Sequence, residues 1–179
     1  GASDGAGLGI RFLKHLTRTR LLLHLVDMMP YDGSTPAENA LVIENELQKF
    51  SPTMAAGDRW LVLNKLDLLP DDEKEERCQS IIDQLKWQGP VFKISGLAAS
   101  GTKDLCSAIM DYIDTIRDNE KTNPDIARAD ERRREIMQSE ARQRIEELAS
   151  SRRLARQQDR HQEDDFDDDD YDVEVVYTD

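Results

Sequence analysis

Three polar residues stand close together where an apolar run of the sequence ends. Residues 61–70 read LVLNKLDLLP, so Asn64, Lys65 and Asp67 follow directly on Leu-Val-Leu. A carboxylate accepts two hydrogen bonds side by side, an amide both donates and accepts, and the alkyl stem of a lysine can lie along a flat apolar surface. Together these groups could recognise the edge and the face of a planar heterocycle.

The Watson–Crick edge of guanine suits this set of groups. Guanine presents two adjacent donors, N1–H and the 2-amino group, which Asp67 could accept together, whereas adenine offers an acceptor at N1. Asn64 could approach the N7 and O6 side of the base and tie the loop to neighbouring backbone. The stem of Lys65 could cover the base face. The sequence therefore predicts a site that selects guanine.

The same residues also have a purely local interpretation, in which Asn and Asp bond their own backbone at a strand end and Lys is an ordinary surface residue. A second candidate one strand later favours binding. Ser-Gly-Leu follows PVFKI, and a backbone N–H there could donate to guanine O6, with glycine allowing close approach. The predicted guanine-binding residues are Asn64, Lys65, Leu66, Asp67, Ser95, Gly96 and Leu97.

Two alternating periodicities predict the elements that hold these residues. Nearly continuous apolar runs, typical of strands covered on both faces, occupy residues 20–27, 59–64 and 90–95. Helical patterns cover 8–18, 36–50, 71–87 and 101–117. Strands alternating with helices predict a three-layer α/β fold with a parallel sheet. Ligands of such sheets bind beyond the carboxyl ends of the strands, which here are Asp27, 64–67 and 95–97.

The character of the chain changes after residue 118, which we take as the end of the α/β domain. Residues 119–125 contain Pro124 and predict a linker, and residues 126–162 form a charged, Arg-rich helical pattern with a sparse apolar stripe. We expect that helix to be solvated or dependent on a partner. The carboxylate block at 163–179 predicts a disordered acidic tail that serves either interaction or solubility.

Charge and cysteine content narrow the function classes. The formal net charge of −13 argues against binding nucleic acid or anionic membrane through bulk charge. It favours basic protein partners, including one that could bind the acidic tail. Cys78 and Cys106 have no metal-ligand spacing, so we expect reduced thiols, no disulfide and a cytoplasmic location. No apolar run reaches the roughly 20 residues that a membrane helix needs.

Weaker candidates have simpler interpretations. GAGLG near the start of the chain is glycine-rich, but no strand precedes it and no Lys-Ser/Thr follows it, so a phosphate loop is not predicted. His15 and His24 lack a nucleophile partner pattern and are expected to pack or cap. The aspartates at 167–170 lack the spacing of a calcium loop and predict only nonspecific charge.

Three stretches resemble one family of GTPases. GAGLGIRFLKHLTRTRLLLHLVD, NKLDLL and KISGLAASGTKDL are similar to the C-terminal half of the G domain in the Obg/CgtA family. The resemblance implies a P-loop GTPase-like fold that binds GTP or GDP, with NKLD as the G4 element and residues 95–97 as G5. It further implies a parent protein that hydrolyses GTP slowly with magnesium and acts in assembly of the large (50S) ribosomal subunit and in stress and growth control. The family usually has Ala where Gly96 stands.

Other elements of that family do not occur in the sequence. There is no G-x-x-x-x-G-K-[ST] and no D-x-P-G, the form of switch II expected in the family, and GASDGAGLG resembles the stretch just after that motif, so we expect the chain to begin within switch II. No catalytic residue and no magnesium ligand are predicted here, and the chain alone is expected to be inactive. The alternative is a non-catalytic interaction module that uses the Arg-rich helix and the acidic tail.

Overall fold

The computed structural model describes residues 10–164, and it describes side-chain surroundings for residues 12–155. The chain divides into two compact units at residue 142, and the first unit contains the sheet. A 3-10 turn at Leu66–Leu68 follows the strand Arg59–Asn64. In chain order the other elements are α1 (Ile10–Leu16), β1 (Leu22–Asp27), α2 (Pro36–Phe50), α3 (Pro52–Ala55), β2 (Arg59–Asn64), α4 (Lys74–Gln84), β3 (Val91–Lys93), α5 (Thr102–Thr122) and α6 (Pro124–Asp164).

The three strands form a parallel sheet in the order β1-β2-β3. The register pairs Leu22 with Arg59 and Asp27 with Asn64, so β1 and β2 end at the same level. β3 pairs with the middle of β2 and is shorter, because the chain leaves the sheet soon after Lys93. This arrangement confirms the predicted α/β class with a parallel sheet.

The central strand is covered on both of its faces. Leu61 and Leu63 are fully buried in a core that includes residues of α2 and α4. Trp60 and Val62 point to the opposite face, where they pack in a second core with Leu105 of α5. Side chains alternate between the faces of a strand, so the continuous apolar run of β2 serves two cores at once.

The edge strand β1 departs from the prediction that it is covered on both faces. His24 and Val26 are buried on the α2 and α4 side, whereas Leu23 and Leu25 on the other side are 37% and 54% exposed. The register places Leu25 beside Val62, whose core with α5 lies over β2 and β3. One face of β1 is therefore open in the described part of the chain.

Local sequence and backbone geometry set the bounds of α2 and α4. Thr35 caps α2, with its hydroxyl accepting from the Glu38 N–H at 3.2 Å, and Pro36 occupies the first turn. These signals explain why the predicted bounds of α2 are correct to the residue. α4 is shorter than the predicted 71–87 at both ends. It begins at Lys74, and beyond its C-terminal end Lys86 adopts a left-handed φ of 50° that ends the helical geometry.

The segment predicted as a linker is largely helical. α5 continues to Thr122, and α6 begins at Pro124. Asn123 alone separates them, with its side-chain oxygen accepting from the Asp125 N–H at 3.0 Å in the manner of a helix cap. Pro124 thus breaks one helix and starts another, since proline suits the first helical position.

The first part of α6 is packed within the chain, which corrects, for this part, the expectation of a helix that is solvated or dependent on a partner. Met137 and Ala141 are each 3% exposed. Between them, the carboxylate of Glu140 accepts hydrogen bonds from the hydroxyl of Ser51 at 2.5 Å, the hydroxyl of Thr53 at 2.8 Å and the N–H of Thr53 at 3.2 Å. Glu140 therefore completes the N-terminal end of α3, where backbone donors lack helical partners.

Candidate functional site

The predicted polar residues lie at the carboxyl edge of the sheet. Asn64 is the last residue of β2, and its backbone carbonyl accepts from the Met28 N–H at 3.1 Å, just beyond the end of β1. The N–H of Leu66 donates to the Ile94 carbonyl at 3.3 Å, just beyond β3. The loop after β2 is thus tied to its neighbours on both sides.

The side chain of Asn64 connects the two predicted motifs. Its Oδ1 atom accepts a hydrogen bond from the backbone N–H of Gly96 at 3.0 Å. This is the loop-tying contact expected of Asn64, and it engages the amide predicted to donate to guanine O6. That amide would reach a base oxygen only by sharing its hydrogen or by exchanging partners. A β-carbon at Gly96 would lie 3.6 Å from Asn64 Oδ1, so alanine fits there.

Lys65 is held by a residue that sequence reasoning did not assign to the site. Its backbone is left-handed, with φ of 69°, and its Nζ atom lies 2.6 Å from Oδ2 of Asp27. The other oxygen of Asp27 accepts from the Met29 N–H at 2.9 Å. Partial burial opposes the charged form of Asp27, but the hydrogen bonds from Lys65 and Met29 outweigh it and hold the pKa of Asp27 below its ordinary value. The position of Asp27 at a strand end was the available signal.

Asp67 lies exposed in the 3-10 turn. Its carboxylate makes no hydrogen bond or ion pair within the part of the chain that the structure describes. Leu66 packs against the core and Leu69 is buried, so the two leucines hold the turn against the core. Leu66 therefore supports the turn, and Asp67 presents two unoccupied acceptor oxygens to solvent.

The loop after β3 is closed by its own hydrogen bonds. Ser95 and Ser100 exchange both backbone bonds, at 3.0 and 3.1 Å. Ser95 is 2% exposed, and its hydroxyl accepts from the Ala98 N–H at 2.9 Å. Leu97 is 90% exposed at the tip of this loop. Of the predicted residues 95–97, Ser95 shapes the loop, while Gly96 and Leu97 face its accessible side.

The remaining candidates do not join this edge. His24 is buried in β1 against Trp87, with ring centroids 6.2 Å apart, and neither ring nitrogen has a hydrogen-bond partner among the described residues. Burial and, secondarily, the positive charge of Arg59 lower the pKa of His24. Among the side chains of residues 12–155, no group of three or more His, Cys, Asp or Glu is placed to hold a metal ion. The aspartates at 167–170 lie outside the described residues.

Both cysteines are free, Cys78 buried and Cys106 exposed, which confirms the expectation of no disulfide. Among the described helices, none combines the length and apolar character that crossing a bilayer requires. No protein-family model matches this chain.

Proposed function

We propose that this chain forms the base-recognition part of a guanine-nucleotide-binding domain, with Asp67 as the group that reads guanine. A carboxylate with two free oxygens matches the N1–H and 2-amino donors of guanine, and charged acceptors make the stronger hydrogen bonds. The observation that carries this proposal is the state of Asp67, which is exposed and has no partner among the described residues, beside an Asn64 and a Lys65 that both have partners.

The neighbouring groups support a pocket for a flat base. Asn64 holds the loop after β3 at the side of the site through Gly96. The ammonium of Lys65 is anchored on Asp27, which leaves its alkyl stem as an apolar surface. Leu97, almost fully exposed, offers a second apolar surface on the adjacent loop. A base that covers this exposed leucine would be bound more tightly, because apolar area is removed from water in the complex.

The proposal extends to a longer parent protein through the family resemblance. We infer that the parent is an Obg-like GTPase that binds GTP and GDP, hydrolyses GTP with magnesium and acts on the large ribosomal subunit. β1 is an edge strand of the described sheet and has an uncovered face with Leu23 and Leu25 exposed, which supports further strands at that edge and further helices over that face in such a parent. Phosphate and magnesium contacts are assigned to that continuation, since the 179 residues contain no G-x-x-x-x-G-K-[ST] and the described residues offer no metal cluster.

The test is a nucleotide titration of the chain and of its Asp67→Asn variant, followed by NMR chemical shifts. Guanosine monophosphate should shift signals of residues 64–67 and 95–97 more strongly than adenosine monophosphate does. Asparagine offers a donor in place of an acceptor, so Asp67→Asn should weaken guanosine monophosphate binding by about tenfold or more and favour xanthosine monophosphate, which carries a carbonyl at the 2-position.

Asp72→Asn is the matched control, because it removes the same charge from an exposed aspartate five residues further on. That variant should bind like the unmodified chain. Equal binding of guanosine and adenosine monophosphates by the unmodified chain, or unchanged guanine preference in Asp67→Asn, would contradict the proposed function.

A further inference from the structure

We propose that Asp27 is a positioning residue for specificity, which keeps the ammonium of Lys65 away from Asp67 and so leaves the guanine reader unoccupied. The inference rests on the proposed function, because it concerns how the same site stays selective. It starts from one ion pair, Lys65 Nζ to Asp27 Oδ2 at 2.6 Å.

Two contacts make Asp27 a fixed anchor. Its Oδ1 atom is held by the Met29 N–H at 2.9 Å, so Oδ2 is turned toward the β2 loop. The parallel register places Asp27 beside Asn64, one residue before Lys65. The left-handed backbone of Lys65 is the turn at which the chain leaves β2, and its side chain crosses back to the end of β1. The pair therefore links two adjacent strand ends.

The alternative partner of Lys65 is Asp67, two residues along the same turn. A lysine has a flexible four-carbon stem and a compact charge, so it redirects readily to another carboxylate when its partner is lost. An ion pair with Lys65 would occupy an oxygen of Asp67 that the 2-amino group or N1–H of guanine needs. Asp27 removes this competition, and it does so while holding the lysine stem in place as a surface for the base.

If Asp27 has this role, its replacement should reduce the selectivity for guanine more than it reduces the affinity for nucleotides of any base. Hypoxanthine lacks the 2-amino group of guanine, so the ratio of guanosine to inosine monophosphate affinity reports the paired contact to Asp67. In Asp27→Asn this ratio should fall by about two- to fivefold, the range set by one exposed ion pair. Asparagine still offers an oxygen to the Met29 N–H, so the turn after β1 is retained.

Two further variants separate positioning from folding. Asp27→Glu restores the charge and should recover most of the ratio. In the double variant Asp27→Asn/Lys65→Met the side chain at 65 keeps an apolar stem but has no charge to occupy Asp67, so the ratio should return toward that of Lys65→Met alone. A merely structural role of Asp27 would not be rescued by changing Lys65.

The measurement is NMR titration of the full 179-residue chain with each nucleotide, with the amide spectrum of every variant checked for the native pattern. An unmodified chain that binds both nucleotides equally, or neither, overturns the proposed function and this inference with it. An unmodified chain that prefers guanosine monophosphate, with the same ratio in Asp27→Asn, overturns the inference alone. A reduced ratio that the double variant fails to raise also overturns it.

Discussion

The two ends of the parallel sheet differ in how far their polar side chains are paired. At the amino end several of them are paired with one another: Arg59 Nη2 lies 2.8 Å from Glu44, the hydroxyl of Tyr112 donates to Asp58 at 2.5 Å, and Glu140 accepts three hydrogen bonds from α3 and the residue before it. Nη1 of Arg59 has no partner among the described residues. At the carboxyl end Asn64 and Lys65 also have partners, but Asp67 has none within the described residues.

This contrast separates polar groups that hold the fold from polar groups available to a ligand. A hydrogen bond made inside the protein adds stability, whereas an exposed acceptor keeps its capacity for a partner from solution. Substitutions at the amino end should therefore change stability, and substitutions at Asp67 should change binding. The carboxyl end also contains structural positions, and the largest expected effect on stability belongs to one of them.

Gly101→Ala should cause the largest loss of stability. Gly101 has a φ of 69°, and a β-carbon there would lie in a forbidden contact with the backbone carbonyl oxygen of Lys93, which cannot swing away as a side chain could. The left-handed conformation and the clash together should cost roughly 2 kcal/mol or more of unfolding free energy. Urea denaturation followed by circular dichroism measures it.

Gly33→Ala is the control for this prediction. Gly33 also has a positive φ, 77°, but a β-carbon there meets nothing within 4 Å. It should therefore cost only the conformational penalty, about 1 kcal/mol. Equal losses in the two alanine variants would show that the contact with Lys93 does not matter.

Glu140→Gln should have the next largest effect, and it tests the amino end. A neutral amide accepts with one oxygen in place of two charged ones, so at least one donor at Ser51 or Thr53 loses its partner. We expect a loss of about 1–3 kcal/mol in unfolding free energy and weaker hydrogen-exchange protection in α3. Glu135→Gln, an exposed residue on the same helix, is the matched control. A change equal to that of the control would contradict a structural role for Glu140.

The smallest expected effect is a pH dependence from His24. Its folded-state pKa lies below the ordinary 6.5, first because of burial and then because of Arg59, while Glu44 opposes the shift. The unfolded chain then binds the proton more tightly, so the contribution of His24 is fully present above about pH 7 and is lost as pH falls through 6.5 toward the folded-state pKa.

The check compares unfolding free energies of the unmodified chain and His24→Leu between pH 7.5 and about pH 5. Leucine cannot titrate, and it removes two buried ring nitrogens that have no partner among the described residues. The stability of the unmodified chain should fall relative to the variant as pH decreases. A constant difference across this range would show that His24 keeps its ordinary pKa.

Local patterns were sufficient for part of the fold. The apolar run RWLVLN predicts β2, and the helical spacing of the apolar residues in 36–50 predicts α2. The structure shows both with the predicted bounds. Turn chemistry at Asn64 and Asp67 also marked the carboxyl edge, because Asn, Lys and Asp there interrupt an otherwise buried run. The short helix α3 and the 3-10 turn were not predicted, because each contains too few residues to show a helical periodicity.

What the sequence by itself determined is therefore the α/β alternation, the parallel order that it implies, and the place of Asn64, Lys65 and Asp67 at a strand end. Only the tertiary structure decided which of them are occupied. The pairing of Lys65 with Asp27, of Asn64 with Gly96 and of Glu140 with Ser51 joins residues 38, 32 and 89 positions apart in the chain. Such contacts depend on how whole helices and strands pack together. Residue type and spacing along one segment do not specify that packing.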